Sequence, residues 1–203
     1  MRVVGGTVGG RRLKAPSGRS TRPTADRVRE AVFNVLASSV SAGSVSASSV
    51  SASSERVEGH DGLIGLEVLD LFAGSGALGI EALSRGAASA TFVESDANAV
   101  EVIETNLAQT GLEERAKVVR ADVLAWLRSG GGVNANVAFC DPPYAFSDWP
   151  LLLSELSVGI VVAESRSPLT KFAGWRAVKS KAYGGTVVTL MKSLPPGSPV
   201  GPE

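Results

Sequence analysis

The sequence predicts an α/β domain with a mostly parallel sheet, helices between successive strands, and an antiparallel pair of strands at the C-terminal end. Short apolar runs that stop at Gly, Asp or Glu alternate with stretches whose apolar residues recur at helical spacing, as in parallel sheets with crossover helices. Two later runs are joined only by Gly184-Gly185, which favours a hairpin. A length of 203 residues suits one such domain with small additions.

Residues 1–36 are predicted to form a basic extension made of an open β-hairpin followed by a helix. Glycine pairs lie between Val3-Val4 and Leu13, and glycines at this spacing favour a short ribbon. Thr24 is a plausible N-cap for the helix, whose apolar residues recur from position 28 to 36 and predict one buried face. The charged residues Arg27, Arg29 and Glu30 are expected on the other faces.

Charge is distributed unevenly although the chain as a whole is neutral. Residues 1–30 contain eight basic and two acidic side chains, a net charge of +6, so the rest of the chain has a net charge of −6. A basic arm on a mildly acidic domain is typical of a protein that binds a polyanion.

Residues 37–62 begin with low-complexity sequence rich in Ser, Ala and Val, in which SVSASS recurs. Such a segment has few large apolar groups to bury, so it is interpreted as a flexible connection or a frayed helix extension without a function of its own. The main domain is expected to occupy residues 63–193. The Pro- and Gly-rich tail, residues 194–203, is expected to be disordered.

The run from Val68 to Glu94 is predicted to be the unit around which the domain is organised. An apolar strand stops at the turn Gly74-Ser75-Gly76, a helical pattern follows, and a second apolar run ends at Glu94. This is a strand–turn–helix–strand unit of the size that binds nucleotides, and glycines at the turn let a ligand approach the backbone closely.

Two acidic residues indicate which nucleotide this unit binds. Gly74, Gly76 and Gly79 spell G-x-G-x-x-G, so a dinucleotide site must be considered. However, Asp70 would repel a pyrophosphate and suits a cationic ligand, while Glu94 is placed to accept two hydrogen bonds from a ribose diol. A cationic nucleoside with a free ribose corresponds to S-adenosylmethionine. The alternative is a turn that only packs the helix on the strand.

The remaining elements continue the alternation of strands and helices. A third strand at residues 117–119 precedes Asp122, which either accepts a hydrogen bond from an adenine amino group or caps the following helix, or does both. The other expected elements are a helix over residues 100–107, a fourth strand at 137–140, a helix around 151–156, a fifth strand at 160–163 and an antiparallel pair at 178–183 and 186–192.

The motif Asp141-Pro142-Pro143-Tyr144 follows the fourth strand directly and offers a set of groups suited to an aromatic amine. The prolines remove two N–H donors, the Asp141 carboxylate is an acceptor, and the Tyr144 ring is a surface on which a base can stack. Two hydrogen bonds to an exocyclic amine can direct its lone pair toward a methyl donor by positioning and electrostatics alone. The base must leave its stack or already be unpaired. The alternative is a Pro-Pro loop beside a core tyrosine.

These motifs resemble those of a known enzyme family. DLFAGSG, Glu94 and DPPY are similar to class I S-adenosylmethionine-dependent methyltransferases that modify exocyclic amines, and VVGGTVGGRRLKAP followed by RPTADRVREAVFNVL resembles the bacterial 16S rRNA guanine-N2 methyltransferases of the RsmD family. The resemblance implies a Rossmann-like seven-stranded, mostly parallel sheet with an N-terminal β-hairpin. It also implies methyl transfer to N2 of one guanine in 16S rRNA, within an assembling 30S particle.

The resemblance also assigns expected roles to residues of this chain. The cofactor-binding residues are Asp70, Phe72, Gly74, Gly76, Glu94, Ser95, Asp122 and Val123, and the catalytic residues are Asp141, Pro142, Pro143 and Tyr144. The residues expected to bind RNA are Arg2, Arg11, Arg12, Lys14, Arg22, Thr24 and Arg27. Arg22, Pro23 and Thr24 match a segment that borders both ligands.

Three other functions are considered for these motifs, together with the expected location and partners of the protein. The rivals are adenine-N6 methylation of DNA or RNA, a dehydrogenase, and an RNA-binding domain without activity; adenine enzymes more often have Asn at the position of Asp141. Single Cys140 and His60 residues favour neither a metal site nor a disulfide framework. The chain has no apolar run long enough for a bilayer, so no membrane partner is expected and the cytoplasm is the expected location. A monomer without a bound metal is also expected.

Overall fold

The computed structural model describes residues 1–16, 26–40 and 63–195, with side chains of the second range described through Leu36. The helices are α1 (Asp26–Val40), α2 (Ala77–Ser84), α3 (Ala97–Thr110), α4 (Val123–Arg128) and α5 (Trp149–Glu155), with a 3-10 turn at Glu113–Arg115. The strands are β1 (Glu67–Leu71), β2 (Ser89–Glu94), β3 (Ala116–Arg120), β4 (Val137–Cys140), β5 (Ile160–Ser165), β6 (Trp175–Tyr183) and β7 (Thr186–Ser193).

The seven strands form one mixed sheet in the order β3-β2-β1-β4-β5-β7-β6. The first five strands in this order are parallel to one another, whereas β7 is antiparallel to both β5 and β6. The predicted α/β class, the mostly parallel sheet and the C-terminal antiparallel pair are therefore confirmed. The last strand, β7, inserts between β5 and β6, so β6 forms the sheet edge.

Apolar residues cover both faces of the sheet, as expected for buried parallel strands. One face packs under α1, α2 and α3 with Val68, Phe92, Phe139 and Val162 at its centre. The other face packs against α4 and α5 through the alternate residues Leu69, Val93, Ala138 and Val161. Because side chains alternate along a strand, residues paired across neighbouring strands face the same side.

The N-terminal arm, residues 1–16, is an open hairpin held mainly by its contacts with the domain. Its strands share a single antiparallel bridge, between Arg2 and Arg12, and Val3 and Leu13 are buried in the same core as the sheet. The Lys14 amide donates to the Asn106 side chain of α3 over 2.8 Å. This ribbon is thus part of the packed structure.

Helix α1 packs on the sheet through Phe33, whose ring centroid lies 5.4 Å from that of Phe139. The expectation for Arg29 is wrong: its side chain is fully buried instead of lying on a solvated face. Its guanidinium donates to the Arg2 carbonyl and to Asp26 Oδ1, at 2.7 Å for the latter. Arg29 therefore connects the helix to the arm, and its charge is used inside the protein.

Several sequence-based expectations lie outside the described residues. They concern Arg22, Thr24, His60, residues 41–62 and the tail from residue 196 onward. Within the predicted connection, α1 continues as far as Val40. No helix in the described ranges is both long and apolar enough to cross a bilayer.

Candidate active site

The sheet order brings the carboxyl ends of five parallel strands to one edge of the molecule. Each strand contributes an acidic residue at or near that end: Asp122 after β3, Glu94 in β2, Asp70 in β1, Asp141 after β4 and Glu164 in β5. In open α/β sheets ligands bind outside the carboxyl ends of the strands, which makes this edge the candidate site.

The backbone of the turn after β1 leaves open space beside Gly74, while the amides of Ala73, Gly74 and Gly76 are hydrogen-bonded within the protein. Phe72, Gly74 and Gly76 all have positive φ angles, 60°, 55° and 75°. A positive φ is unfavourable for a phenylalanine, and strain of this kind clusters at functional sites. A Cβ at Gly74 would have only one atom within 4 Å, the Phe72 carbonyl oxygen at 3.9 Å, so a ligand can approach the backbone there.

Gly79, the third glycine of the motif, has a packing role. A Cβ at this position would lie 2.3 Å from a ring carbon of Phe92. The absent side chain therefore allows α2 to lie close to β2, which is the role of the third glycine in nucleotide-binding turns. This contact fixes where the N-terminal end of α2 sits relative to the turn.

Glu94 connects the end of β2 to the glycine turn. Its Oε2 accepts the Gly74 N–H at 2.8 Å, and its Oε1 accepts the amides of Ser95 and Asp96 at 2.8 and 2.9 Å. The side chain remains partly exposed, so a ribose diol can still reach the carboxylate. Glu94 thus offers a carboxylate acceptor beside the glycine turn, as a ribose diol requires.

Asp70 is more deeply buried than the sequence suggested. Its side chain is 2% exposed, and Oδ2 accepts the Gly79 N–H at 2.8 Å, which satisfies one free amide in the first turn of α2. Burial raises the pKa of Asp70 to about 8; the nearby carboxylates of Asp141 and Glu94 add to the increase, and the Gly79 hydrogen bond opposes it. A cationic ligand beside this carboxyl would favour its ionised form.

The other candidate cofactor residues differ in their exposure. Asp122 Oδ1 accepts the Ala125 N–H at 2.9 Å and caps α4, so the capping role is confirmed and a contact with adenine stays a prediction. Val123, the first residue of α4, is buried in the core, while the Ser95 side chain is exposed next to Glu94. The Phe72 ring contacts Phe146, with a distance of 5.2 Å between centroids.

The four predicted catalytic residues line one cavity of about 250 Å³. The cavity lies between the loop after β4 and the end of β5, and its walls also include the aromatic residues Phe146 and Trp149. The complete lining is Asp141, Pro142, Pro143, Tyr144, Phe146, Trp149, Glu164, Ser165, Arg166, Ser167, Leu169 and Thr186. This volume lies just below the range of about 300–1,000 Å³ usual for small-molecule sites, and it suits a single base.

Tyr144 is oriented by contacts from the opposite wall of this cavity. Its ring is 47% exposed, and its hydroxyl lies 3.3 Å from Thr186 Oγ1 at the start of β7. The Arg166 guanidinium lies 5.1 Å from the ring centroid, within the range of a cation–π contact. The ring is therefore accessible for stacking and is supported by strands β5 and β7.

Sequence reasoning missed the contribution of β5 to the cavity. Glu164, Ser165 and Arg166 stand at the carboxyl end of a strand that the sequence predicted, in the place where Glu94 and Asp122 were singled out on their strands. The rule that parallel strands end at one edge would have selected them. Thr186 could be found only once β7 was known to lie beside β5.

The basic arm presents a second surface. Arg2, Arg11, Arg12, Lys14 and Arg27 are exposed, whereas Arg22 and Thr24 lie outside the described residues. The Arg2 and Asp26 side chains approach to 3.6 Å at the rim of a cavity of about 610 Å³, and Arg11 donates to the Gln109 carbonyl at 3.1 Å. Four of these five side chains thus lie on the arm itself, and Arg27 lies on α1.

No group of three or more His, Cys, Asp or Glu side chains within the described ranges could hold a metal ion. Cys140 is buried, and burial raises the pKa of its thiol, with Asp70 and Asp141 adding to the effect. Its thiol therefore stays protonated next to the motif.

The chain is similar in sequence to proteins of one family. Residues 1–192 match the model of a family described as conserved hypothetical protein 95. The Bacillus subtilis protein YlbH, named as a candidate rRNA methyltransferase, is 36% identical over 173 residues, which is 81% of this chain and 82% of YlbH. The Escherichia coli ribosomal RNA small subunit methyltransferase D is 38% identical over 144 residues, which is 71% of this chain and 60% of that protein.

The similarity extends to three-dimensional structure. The solved structure of yhhF from Escherichia coli, described as a candidate methyltransferase, superimposes with a TM-score of 0.73 at 32% identity. The superposition covers 95% of this chain and 97% of yhhF, so the arm, the sheet and the C-terminal strands all have counterparts there.

Proposed function

The chain belongs to the conserved hypothetical protein 95 family, the RsmD family of rRNA methyltransferases, and we propose that it methylates N2 of one guanine in 16S rRNA with S-adenosylmethionine as donor. One observation carries the proposal. The Asp141 motif lines a base-sized cavity at the carboxyl ends of the parallel strands, where the glycine turn and Glu94 also lie. A donor and an acceptor bound at these two places would meet between β1 and β4.

The glycine turn and Glu94 would hold the donor. The open backbone at Gly74 allows close approach, and the partly exposed Glu94 carboxylate can accept from a ribose diol while it keeps the turn in place. Asp122 and Ser95 stand beside Glu94 at the ends of neighbouring strands. When bound, S-adenosylmethionine would supply an activated methyl group and leave as S-adenosylhomocysteine, and the proton that N2 gives up would pass to the Asp141 carboxylate beside it and from there to solvent.

The motif after β4 would prepare the guanine amine for this transfer. The Asp141 carboxylate and the Pro142 carbonyl accept hydrogen bonds from the two N2–H groups. These bonds limit delocalisation of the nitrogen lone pair into the ring and direct it at the methyl donor. Tyr144 stacks on the base, a contact worth about 1–3 kcal/mol for an aromatic side chain. These groups act by position and charge, and no covalent intermediate on the protein is required.

The proposed setting follows from the acceptor. We expect a monomer that works in the cytoplasm on 16S rRNA within an assembling 30S particle, with the basic arm on the phosphate backbone. The rival is adenine-N6 methylation, because the same groups can hold the N6 amine of adenine. The product therefore has to be identified directly.

The first test is to compare 16S rRNA from cells with the gene, without it, and with Asp141→Ala in its place. Mass mapping of nuclease fragments should find one N2-methylguanine that depends on the gene and is absent in the variant. Methylation of adenine instead, or of no nucleotide in this rRNA, would contradict the proposal.

The purified Asp141→Ala protein provides the matching biochemical control. It should lose transfer by at least about 100-fold because the amine is no longer oriented, an effect within the range of lost electrostatic positioning groups. Calorimetry should still detect S-adenosylhomocysteine, since the glycine turn and Glu94 are intact. Loss of cofactor binding in this variant would show that Asp141 belongs to the donor site.

A further inference from the structure

We propose that Glu164 is the residue that selects guanine, by accepting the N1–H of the target base while Asp141 accepts from its N2 amine. This inference rests on the proposed function and adds a specificity residue to it. The cavity after β4 is then a guanine site with two carboxylates, of which only one belongs to the sequence motif.

The strand register places the two carboxylates next to each other. Strands β4 and β5 are parallel, and Cys140 pairs with Ala163 at the last described position of the ladder. Glu164 follows Ala163 within β5, and Asp141 follows Cys140 as the first residue after β4. Both residues line the same cavity, so their carboxylates enter it from neighbouring strand ends. Two side chains that enter from neighbouring strand ends can converge on two adjacent hydrogen-bond donors at one edge of a base.

Glu164 is buried and lines the cavity, so its carboxylate would contact a base bound there. Its side chain is 8% exposed, yet the residue lines the cavity together with Asp141 and Tyr144. A ligand that donates to this carboxylate inside the cavity would form a charge-assisted hydrogen bond, which is stronger than a neutral one. An acceptor placed against it would be rejected.

Guanine and adenine differ at this point. The Watson–Crick edge of guanine carries N1–H beside the N2 amine, so two neighbouring donors face the two carboxylates. The edge of adenine carries an unprotonated N1 beside its amine, and that lone pair would face Glu164. Specificity of this kind arises because the wrong base leaves polar groups unpaired. Glu164 therefore provides a physical reason to favour guanine.

The opposite wall completes a site for one flat base. Arg166 supports the Tyr144 ring and Thr186 lies beside the Tyr144 hydroxyl, so β5 and β7 hold the stacking surface while β4 and β5 supply the acceptors. A base stacked on Tyr144 would turn its edge toward the ends of β4 and β5.

The test uses 2-aminopurine, which keeps the amine at position 2 but has no proton on N1. Small ribosomal subunits are reconstituted with 16S rRNA that carries either guanine or 2-aminopurine at the target position found by mass mapping. The wild-type protein should methylate guanine with a kcat/KM about 10- to 100-fold higher, the range expected when a buried acceptor loses its donor. Equal rates on the two substrates would overturn the inference.

Glu164→Gln then identifies the residue responsible. The variant should bind S-adenosylhomocysteine normally, lose about tenfold in kcat/KM on guanine, and lose most of its discrimination against 2-aminopurine, because an amide can donate to an unprotonated N1. Unchanged discrimination in a folded variant would overturn the assignment. Glu113→Gln, a change to an exposed carboxylate in the 3-10 turn, is the control and should behave as wild type.

The wild-type comparison needs no variant, so it remains decisive if Glu164→Gln does not fold. It also separates two failures. If wild-type protein makes no N2-methylguanine in the particle that carries guanine, the proposed function is wrong. If it methylates guanine and 2-aminopurine equally, guanine-N2 methylation stands and the role of Glu164 is wrong.

Discussion

Single carboxyl groups at the carboxyl ends of the strands support the backbone of the glycine turn and of the helix that follows it. Glu94 holds the Gly74 amide and Asp70 holds the Gly79 amide, so each fixes one end of the glycine turn and its helix. Asp70 does so from a buried position, where its pKa is raised to about 8 chiefly by burial. One residue can therefore shape the turn and respond to the charge of the ligand.

The raised pKa of Asp70 predicts how stability depends on pH. Between its ordinary value of 3.8 and about 8, the folded protein binds a proton at Asp70 that the unfolded chain releases. The free energy of unfolding should therefore fall as pH rises through this window, by at most about 1.4 kcal/mol per pH unit from this group. Asp70→Asn keeps an acceptor for Gly79 and should remove this contribution, as urea denaturation at several pH values can measure.

Asp122→Asn is the matched control for this measurement. It makes the same substitution at an exposed helix cap and keeps an acceptor for the Ala125 N–H, so it controls for the substitution itself. If wild type and Asp70→Asn show parallel stability curves from pH 4 to pH 8, the raised pKa of Asp70 is refuted.

Among the elements, the N-terminal arm depends most on polar contacts with its neighbours. Glu81 of α2 is fully buried and accepts the amides of Val4 and Gly5 at 2.6 and 2.8 Å, and it also pairs with Arg85 at 2.7 Å. Ser84 of the same helix bonds to the arm as well, through Val8 N–H and the Gly5 carbonyl. The arm is thus fastened along one side of α2.

Replacing Glu81 by Ala should therefore loosen the arm and destabilise the domain. The change removes the acceptor of two partly buried amides and of the buried Arg85 guanidinium, and breaking a buried ion pair in this way costs about 3–5 kcal/mol. We expect a lower denaturation midpoint and faster trypsin cleavage at Arg11, Arg12 and Lys14. Glu113→Ala, at an exposed site, should change neither; an equally stable and protease-resistant Glu81→Ala protein would mean that the arm is held by its apolar contacts alone.

At the scale of the whole molecule, basic and acidic residues are concentrated in different parts of the structure. The first 30 residues carry a net charge of +6 on a domain of −6, and the arm docks on α2 and α3 while the acidic residues gather at the carboxyl ends of the strands. The buried Arg29 reduces the charge that the N-terminal region presents to a partner. The remaining exposed cations of the arm are the ones that can attract RNA.

The arm should dominate the salt dependence of RNA binding. A variant with Gln at Arg11, Arg12 and Lys14 should bind 16S rRNA more weakly, and the slope of log affinity against log salt should decrease by roughly 2–3 because each phosphate contact contributes about 0.7–0.9. Filter binding over a salt series measures this slope. The charge-matched control has Gln at Lys117, Lys179 and Lys181; a slope unchanged from wild type in the arm variant would show that the arm does not contact phosphate.

Features that depend on neighbouring residues could be read from the sequence. The strand, glycine turn and helix from Val68 onward follow from apolar periodicity and turn chemistry, and the motif after β4 follows from its position at the end of an apolar run. Asp96 and Asp122 cap their helices by accepting the amide of the residue three positions later, which is also a local contact. These local rules therefore predicted the fold class and the acids on β1, β2 and β4.

Features that depend on residues far apart in the chain were decided by tertiary structure. The insertion of β7 beside β5, the β4–β5 pairing that brings Glu164 and Asp141 to one cavity, and the burial of Arg29 and Glu81 all arise from packing. Glu81 meets Val4 across 77 positions in the chain, a distance at which periodicity carries no information. Which strands become neighbours is set by how the whole core closes, because each face of the sheet must be covered at once. For that reason the sequence by itself determined the chemistry at each strand end, and only the folded sheet decided which of those ends share one cavity.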